Sequence, residues 1–242
     1  MDVHIDGDIL VYHAGFAADK DTTTDVSVSL ANVKKMLNKK LNYTMSVFNI
    51  KNVYLYITAD DKSNFRYKVA TTQPYKGNRS KGHRPIFYSE IREYLTRVHD
   101  AQLITGEEAD DAIGRAGSAD PDNSIILSSD KDLRMIQGWH WEMGDRKPYF
   151  VTDPGYLVLE EQRSKVEIFG TGYTWFAAQC LMGDRADNIP GLPGYGVVKT
   201  WETLSRVKSI SKLDSIIEQC YNKEGMEARL EEIRRLAWIL RI

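Results

Sequence analysis

The sequence predicts an α/β fold: a largely parallel central sheet with flanking helices and a helical C-terminal part. Two observations carry that expectation. Short Val/Ile/Tyr-rich runs alternate with stretches of helical periodicity, the pattern of parallel strands joined by helical crossovers. Three of those runs end in acids: Asp6 with Asp8, Asp60 with Asp61, and Asp130 with Asp132. Sites in open α/β sheets lie at the carboxyl ends of the strands, so these acids are expected to share one edge.

In chain order, Val3-His4-Ile5 reads as a buried strand ending at Asp6-Gly7-Asp8. Val26, Leu30, Val33, Leu37 and Leu41 recur at helical spacing and predict an amphipathic helix over 26–41. Val53 to Thr58 is a second strand, followed by a polar, basic stretch to about residue 84. A helix opened by Pro85 then runs to about His99. Gln102 to Ile104 is a strand, with a helix opening at Gly106-Glu107-Glu108. Ser124 to Leu127 is another strand, and weaker strand signals cover 139–141 and 149–151. From about 157 the chain reads as helical, broken by the Gly/Pro-rich segment 183–196.

Composition narrows the class. With 242 residues, 42% hydrophobic and 27% charged, the chain is ordinary globular material rather than disordered, collagen-like or coiled-coil. Cys180 and Cys220 are too few for a disulfide scaffold or a Cys-rich zinc site and are expected as reduced thiols. The opening Met1-Asp2-Val3-His4 has no basic signal-peptide region, and no apolar run approaches a membrane span. A cytoplasmic protein without a membrane partner is the expectation.

The acids form a constellation. Glu108, Asp110 and Asp111 stand at a helix start, with 108 and 111 on one face. Asp130 and Asp132 flank Lys131 and point the same way in extended backbone, and Asp184 and Asp187 are three apart. Any one pair alone is ordinary decoration of a helix N-terminus. Together they would repel one another unless cations neutralised them, and an oxygen-only set suits Mg²⁺ or Mn²⁺ rather than zinc. Two such ions about 4 Å apart can activate water and stabilise both oxygens of a phosphodiester displacement. Of Asp60 and Asp61, neighbours on a strand, only one can face that way.

Residues 62–89 hold Lys62, Arg66, Lys68, Lys76, Arg79, Lys81 and Arg84, five interleaved aromatics including Tyr75, and no acid. Such a surface tracks a phosphate backbone and stacks bases. The net charge of −2 conceals it: setting aside nine metal-facing acids of the total 34 leaves 25 against 32 bases, a surplus of seven positive charges. The segment Ile189 to Gly196 leads into a helix carrying Lys199 and Thr200, where glycines let backbone approach phosphates. It is no nucleotide-binding P-loop, because Val198 stands where that motif needs glycine.

These residues resemble the 5′–3′ exonucleases and flap endonucleases. Asp6-Gly7, Tyr75-Lys76-Gly77-Asn78-Arg79, Glu108-Ala109-Asp110-Asp111, Ser129-Asp130-Lys131-Asp132 and Gly183-Asp184-Arg185-Ala186-Asp187-Asn188-Ile189-Pro190-Gly191 follow the family's order over about residues 3–200. The Asp6-Gly7-Asp8 start and the closing Ala237-Trp238-Ile239-Leu240-Arg241 look most like tailed-phage 5′–3′ exonucleases, which would act in a host cytoplasm. Two departures stand out: Val197-Val198 puts two residues, not one, before Lys199, and the second metal aspartate is offset, with Asp61 preferred over Asp60 for its distance from Arg66.

The resemblance implies a nuclease core over 1–168, with a basic helical arch at about 62–89. It further implies a helical subdomain over 169–242 that carries a helix-three-turn-helix hairpin at about 176–206. It implies a metal-dependent 5′–3′ exonuclease or 5′ flap endonuclease that leaves 5′-phosphates, monomeric, acting on DNA with a 5′ end, nick or flap, or on an RNA·DNA hybrid. Two Mg²⁺ ions, replaceable by Mn²⁺, would sit on Asp6, Asp61 or Asp60, Glu108, Asp110, Asp111, Asp130, Asp132, Asp184 and Asp187. Lys76 and Arg79, assisted by Arg66, would act on the scissile phosphate. Tyr75, Lys76, Arg79, Lys81 and Arg84 would hold single-stranded DNA, and Gly191, Gly194, Gly196, Lys199 and Thr200 the duplex, with K⁺ a candidate for the 191–196 carbonyls. The competing readings are a primer-removing RNase H-type nuclease, a PIN-like ribonuclease, which would not need the 183–200 hairpin, and a non-catalytic nucleic-acid-binding module.

Overall fold

Strand β1 (Asp2–Asp6) turns Val3 and Ile5 to one face of the sheet and His4 and Asp6 to the other, as period-two alternation requires. In the structure, a computed structural model describing residues 1–20, 25–79, 84–142, 147–162 and 165–241, this alternation divides the core into two layers. On one face Val3 and Ile5 pack with helices α1 (Gly7–Asp19), α2 (Val26–Val47) and α4 (Tyr88–Val98) through Leu10, Val11, Val33, Leu37, Ile91 and Leu95. On the other face Ile126 of β4 packs with α5 (Ala109–Ala119), α6 (Gly172–Met182), α8 (Ile210–Lys223) and α9 (Glu227–Ala237).

The main sheet runs β3 (Gln102–Ile104), β2 (Asn52–Thr58), β1, β4 (Ser124–Leu127), β5 (Gly138–Trp141), β6 (Tyr149–Val151). All neighbours are parallel except β5 and β6. The register sets Asp6 opposite Tyr56 of β2 and Ile5 opposite Leu127 of β4, so three strands finish side by side.

Helix α1 was not legible from periodicity alone. It begins where β1 ends because Asp6 caps it, Oδ1 accepting from the Ile9 amide at 3.0 Å. Gly7 permits the join: a Cβ there would stand 2.6 Å from the Tyr56 carbonyl oxygen. Helix α5 opens on a capping box, with Glu108 as the cap and Asp111 accepting from the Glu108 amide at 3.1 Å. Helix α4 starts at Tyr88, three residues after the proline expected to open it.

Two further expectations are corrected. The stretch after 157 begins as an antiparallel hairpin, β7 (Leu157–Gln162) and β8 (Lys165–Gly170), before any helix. Its Val166-Glu167-Ile168 alternation has period two, the wrong period for a helix. The basic segment contains only the short α3 (Arg66–Val69) and the start of α4 as helix among its described residues, which are otherwise turn and loop rather than a continuous helix. Instead it lies against the turn that joins two bridging strands, β9 (Gly183–Asp184) and β10 (Ile189–Pro190). The Lys76 amide donates to the Asp187 carbonyl at 2.8 Å and Asn188 Nδ2 to the Pro74 carbonyl at 2.9 Å. Helix α7 (Val197–Leu204) follows that turn.

Candidate active site at the carboxyl edge of the sheet

Side-chain hydrogen bonds gather the acids. Ser128, just past β4, donates through its hydroxyl to Asp6 Oδ2 at 2.7 Å and accepts from the Asp130 amide at 2.9 Å, lashing the ends of β1 and β4 together. Asp130 Oδ1 accepts from the Asp132 amide at 2.8 Å, which makes the tight turn that brings both carboxylates to this edge. Asp132 also accepts from Gln179 Nε2, projected from the buried helix α6. Glu108 and Asp110 arrive from the start of α5, and Asp184 and Asp187 from the β9–β10 turn.

These groups feel one another. Burial, with the Asp8 charge, pushes the Asp6 carboxyl up to about 7. Burial, with Asp130, pushes Asp132 up to about 8. Asp110 is raised well above the usual carboxylate range by burial and by Asp130, Asp6 and Glu108, and Asp130 is raised chiefly by burial. Such shifts mark groups that a nearby positive charge would stabilise.

Cations of the protein answer part of this demand. Lys76 Nζ binds Glu108 and stands 3.8 Å from Asp187, while Arg79 Nη2 reaches Asp187 at 2.6 Å. Lys131 Nζ binds Asp184 and stands 3.6 Å from Asp132. Burial alone would lower the Lys76 ammonium, but Glu108 and Asp187 raise it above the ordinary lysine value. Glu108, Asp110, Asp130, Asp132, Asp184 and Asp187, with these three cations, line a cavity of about 80 Å³. Among the described residues no group of three or more His, Cys, Asp or Glu is drawn tightly enough together to grip an ion as it stands.

Other expected site residues take different partners. Asp60 is exposed and paired with Arg84, which donates to it twice at 2.7 Å and lies on the Tyr88 ring. Asp61 is exposed and accepts from the Ser63 amide at 2.9 Å. Asp111 is buried against Arg66, and Arg66 spends its remaining donors on the Leu236 and Trp238 carbonyls at 2.9 and 2.6 Å. Arg66 therefore clamps the C-terminal residues to α5 while lining the same cavity as the acids. Tyr75, expected as a stacking surface, is 4% exposed, and its hydroxyl lies 3.0 Å from Glu108 and 2.7 Å from Asp187, its one proton shared between them.

In the 190–200 segment, Thr200 is wholly buried, and Gly191 is half-buried where a Cβ would stand 2.2 Å from the Met182 carbonyl carbon. Gly194, Gly196 and Lys199 are exposed, with Lys199 Nζ 4.1 Å from the Tyr195 ring centre. Lys81 lies outside the described residues. Sequence reasoning missed Ser128 and Gln179, whose roles depend on which distant carboxylate each meets.

No family model matches the chain. It is 30% identical over 247 residues to DNA polymerase I of Bacillus subtilis, covering 96% of this chain but only 26% of the polymerase. It is 25% identical over 247 residues to the 5′-3′ exonuclease of Buchnera aphidicola subsp. Schizaphis graminum, covering 97% of this chain and 82% of that protein. Its fold matches a flap endonuclease of bacteriophage T5, solved as a pseudo-enzyme-product complex with DNA and metal ions. The TM-score is 0.57 at 18% identity, over 98% of this chain and 89% of that one. Its relatives thus include proteins named 5′-3′ exonuclease and flap endonuclease, and its fold is that of a solved flap endonuclease. It spans about a quarter of the length of the polymerase it matches. The segments that carry the family resemblance are the ones this fold draws to the sheet edge, Asp111 excepted. No helix among the described residues is long and apolar enough to cross a membrane.

Proposed function

We propose that this chain is a divalent-metal-dependent 5′–3′ exonuclease and 5′ flap endonuclease, hydrolysing DNA phosphodiesters to leave 5′-phosphates. One observation carries the reading: buried, mutually repelling carboxylates at the carboxyl edge of a parallel sheet, rimmed by Lys76, Arg79 and Lys131. A hard divalent cation fits this donor set, which is all oxygen and whose proton affinity is raised by burial and by the neighbouring carboxylates. Asp6, Glu108, Asp110, Asp130, Asp132, Asp184 and Asp187 are the residues that would hold two Mg²⁺ or Mn²⁺ ions. When bound, such ions activate water and stabilise charge on the leaving oxygen.

The chain's own residues do the rest. Lys76 and Arg79 stand at the cavity rim with flexible side chains that can trade a carboxylate for the scissile phosphate. Losing a preorganised donor of that kind costs about 10²–10³ in rate. Exposed Gly194, Gly196 and Lys199 at the start of α7 suit backbone contacts to duplex phosphates, as in a helix-three-turn-helix hairpin, without reading bases. Binding is then sequence-independent and weakened by salt. The protein acts as a cytoplasmic monomer in this reading.

The test uses nicked and 5′-flap duplexes labelled at either end, with Mg²⁺ or EDTA. Mg²⁺-dependent release of short products from the 5′ strand is expected, and Asp130→Asn abolishes it while duplex binding persists. Binding without cleavage in Mg²⁺ or Mn²⁺ overturns the proposal in favour of a binding module, and cleavage of RNA alone overturns it in favour of a ribonuclease.

A further inference from the structure

Lys76 is held in a backbone conformation that it would not adopt unaided. Its φ is +54°, in the left-handed region, which is costly for a residue with a Cβ and persists only where the surroundings impose it. Some of the ties come from the β9–β10 turn, through the Asp187 carbonyl on the Lys76 amide and Asn188 on the Pro74 carbonyl.

A short way upstream the chain is clamped again. Both amides and both hydroxyls of Thr71 and Thr72 donate to one carboxylate, Glu232 of α9. Its Oε1 accepts from the two amides at 2.6 and 2.8 Å, and its Oε2 from the two hydroxyls at 2.8 and 2.6 Å. A carboxylate has about four acceptor positions, and this clamp fills them. Burial pushes the Glu232 carboxyl up, but the threonine donors outweigh it and hold it below the ordinary glutamate value, so the clamp is charged at neutral pH.

The same helix holds the opposite side of the cavity. Arg229 shares a face of α9 with Glu232, and its Nη2 donates to the Pro190 carbonyl of β10 at 3.1 Å. One turn of α9 thus braces both the segment that leads to Lys76 and the strand that leaves the Asp187 turn. Leu236 and Ala237, further along α9, line the cavity, but Glu232 does not.

We propose that Glu232 is a positioning residue for Lys76: by clamping Thr71 and Thr72 to α9, it keeps the Lys76 ammonium over the acidic cavity, where the scissile phosphate would lie. This rests on the nuclease reading above. The competing role is a clamp for stability alone, with Lys76 keeping its place without it.

Single-turnover cleavage of a labelled 5′-flap duplex in Mg²⁺, over a range of enzyme concentrations, separates the two by giving the rate at saturation and the duplex affinity. Glu232→Ala is expected to lower the saturated rate by about 10²-fold, the scale for a reacting group displaced by about 1 Å, with duplex affinity unchanged. Glu232→Gln should recover most of that rate, because its carbonyl can accept from the two amides and its amide can donate to the two hydroxyls. Glu231→Ala, at the exposed neighbouring position, should match wild type. In a Lys76→Ala background, Glu232→Ala should cost nothing further, since the group it positions is gone. If Glu232→Ala fails to fold by circular dichroism, Thr71→Val with Thr72→Val removes the two hydroxyl donors, keeps the amides and carries the same comparison. A wild-type rate in Glu232→Ala overturns the assignment alone, and so does a full further loss on top of Lys76→Ala. Lost duplex affinity at an unchanged saturated rate also overturns it. A wild type that cleaves nothing in Mg²⁺ or Mn²⁺ overturns the nuclease reading, and this assignment with it.

Discussion

Arg66 and Asp111 face each other as a two-pronged ion pair, Nη1 to Oδ2 at 2.5 Å and Nη2 to Oδ1 at 2.8 Å, with both side chains almost wholly buried. Asp111 also accepts from the Leu240 amide at 3.0 Å, so the pair ties α3, α5 and the last residues of the described chain together. Breaking a buried pair leaves an uncompensated charge, which typically costs about 3–5 kcal/mol. Arg66→Ala should lower stability by that order in urea unfolding. Arg66→Met with Asp111→Leu should be less harmful than either single change. Arg66→Ala with unaltered stability but abolished cleavage would return Arg66 to the chemistry.

Tyr75 holds Glu108 and Asp187 apart and in place with one hydroxyl, at 3.0 and 2.7 Å, while its ring is packed in the core. Tyr75→Phe keeps the ring and removes the one proton that Glu108 and Asp187 share, at a cost of about 1–3 kcal/mol. The expected result is a higher Mg²⁺ concentration for half-maximal cleavage with single-strand affinity unchanged. A loss of single-strand affinity at constant Mg²⁺ response would restore the stacking role.

The raised carboxyls give a pH signature. Asp6 and Asp132, held up to about 7 and about 8 from an ordinary 3.8, keep their protons in the folded chain after the unfolded chain has lost them. Their contribution in metal-free protein is therefore fully present below about pH 4 and is lost as pH rises through 7 to 8. A divalent cation competes with those protons, so its stabilisation should grow from pH 6 to 8. Thermal melts with Mg²⁺ or EDTA across that range check it; a Mg²⁺ increment that shrinks with pH would contradict it.

His140 acts in the opposite sense. Burial lowers its imidazole to about 4 from 6.5, with Nε2 2.7 Å from the Ile136 carbonyl. The unfolded chain takes up the proton first, so this contribution is present above pH 6.5 and is lost as pH falls towards 4. The full shift corresponds to about 3 kcal/mol. His140→Phe should flatten the acid limb of the stability profile between those pH values, measured by urea unfolding.

Gly191 and Gly196 look alike in sequence but should behave differently. Gly191→Ala must push a Cβ into the Met182–Gly183 backbone, an overpacking of about 1–3 kcal/mol, whereas a Cβ at Gly196 meets nothing within 4 Å. Melting temperatures of the two variants should separate accordingly.

Much was written in the sequence alone. Period-two and helical spacings marked the six strands of the main sheet and the helices α2, α4 and α5, and runs ending in acids located the edge where Asp6, Asp130 and Asp132 meet. Those features are local: a strand's alternation and a cap residue act over a few positions. Tertiary structure decided which charges answer which. Arg66 meets Asp111, Arg84 meets Asp60, and Lys76 meets Glu108 across separations of 45, 24 and 32 residues. Spacing along the chain carries no record of such pairings, because a long charged side chain goes to whichever opposite charge the packed elements bring within reach. For that reason the sequence named a surplus of acids and bases, and only the fold sorted them into a buried clamp, an exposed pair and a candidate active site.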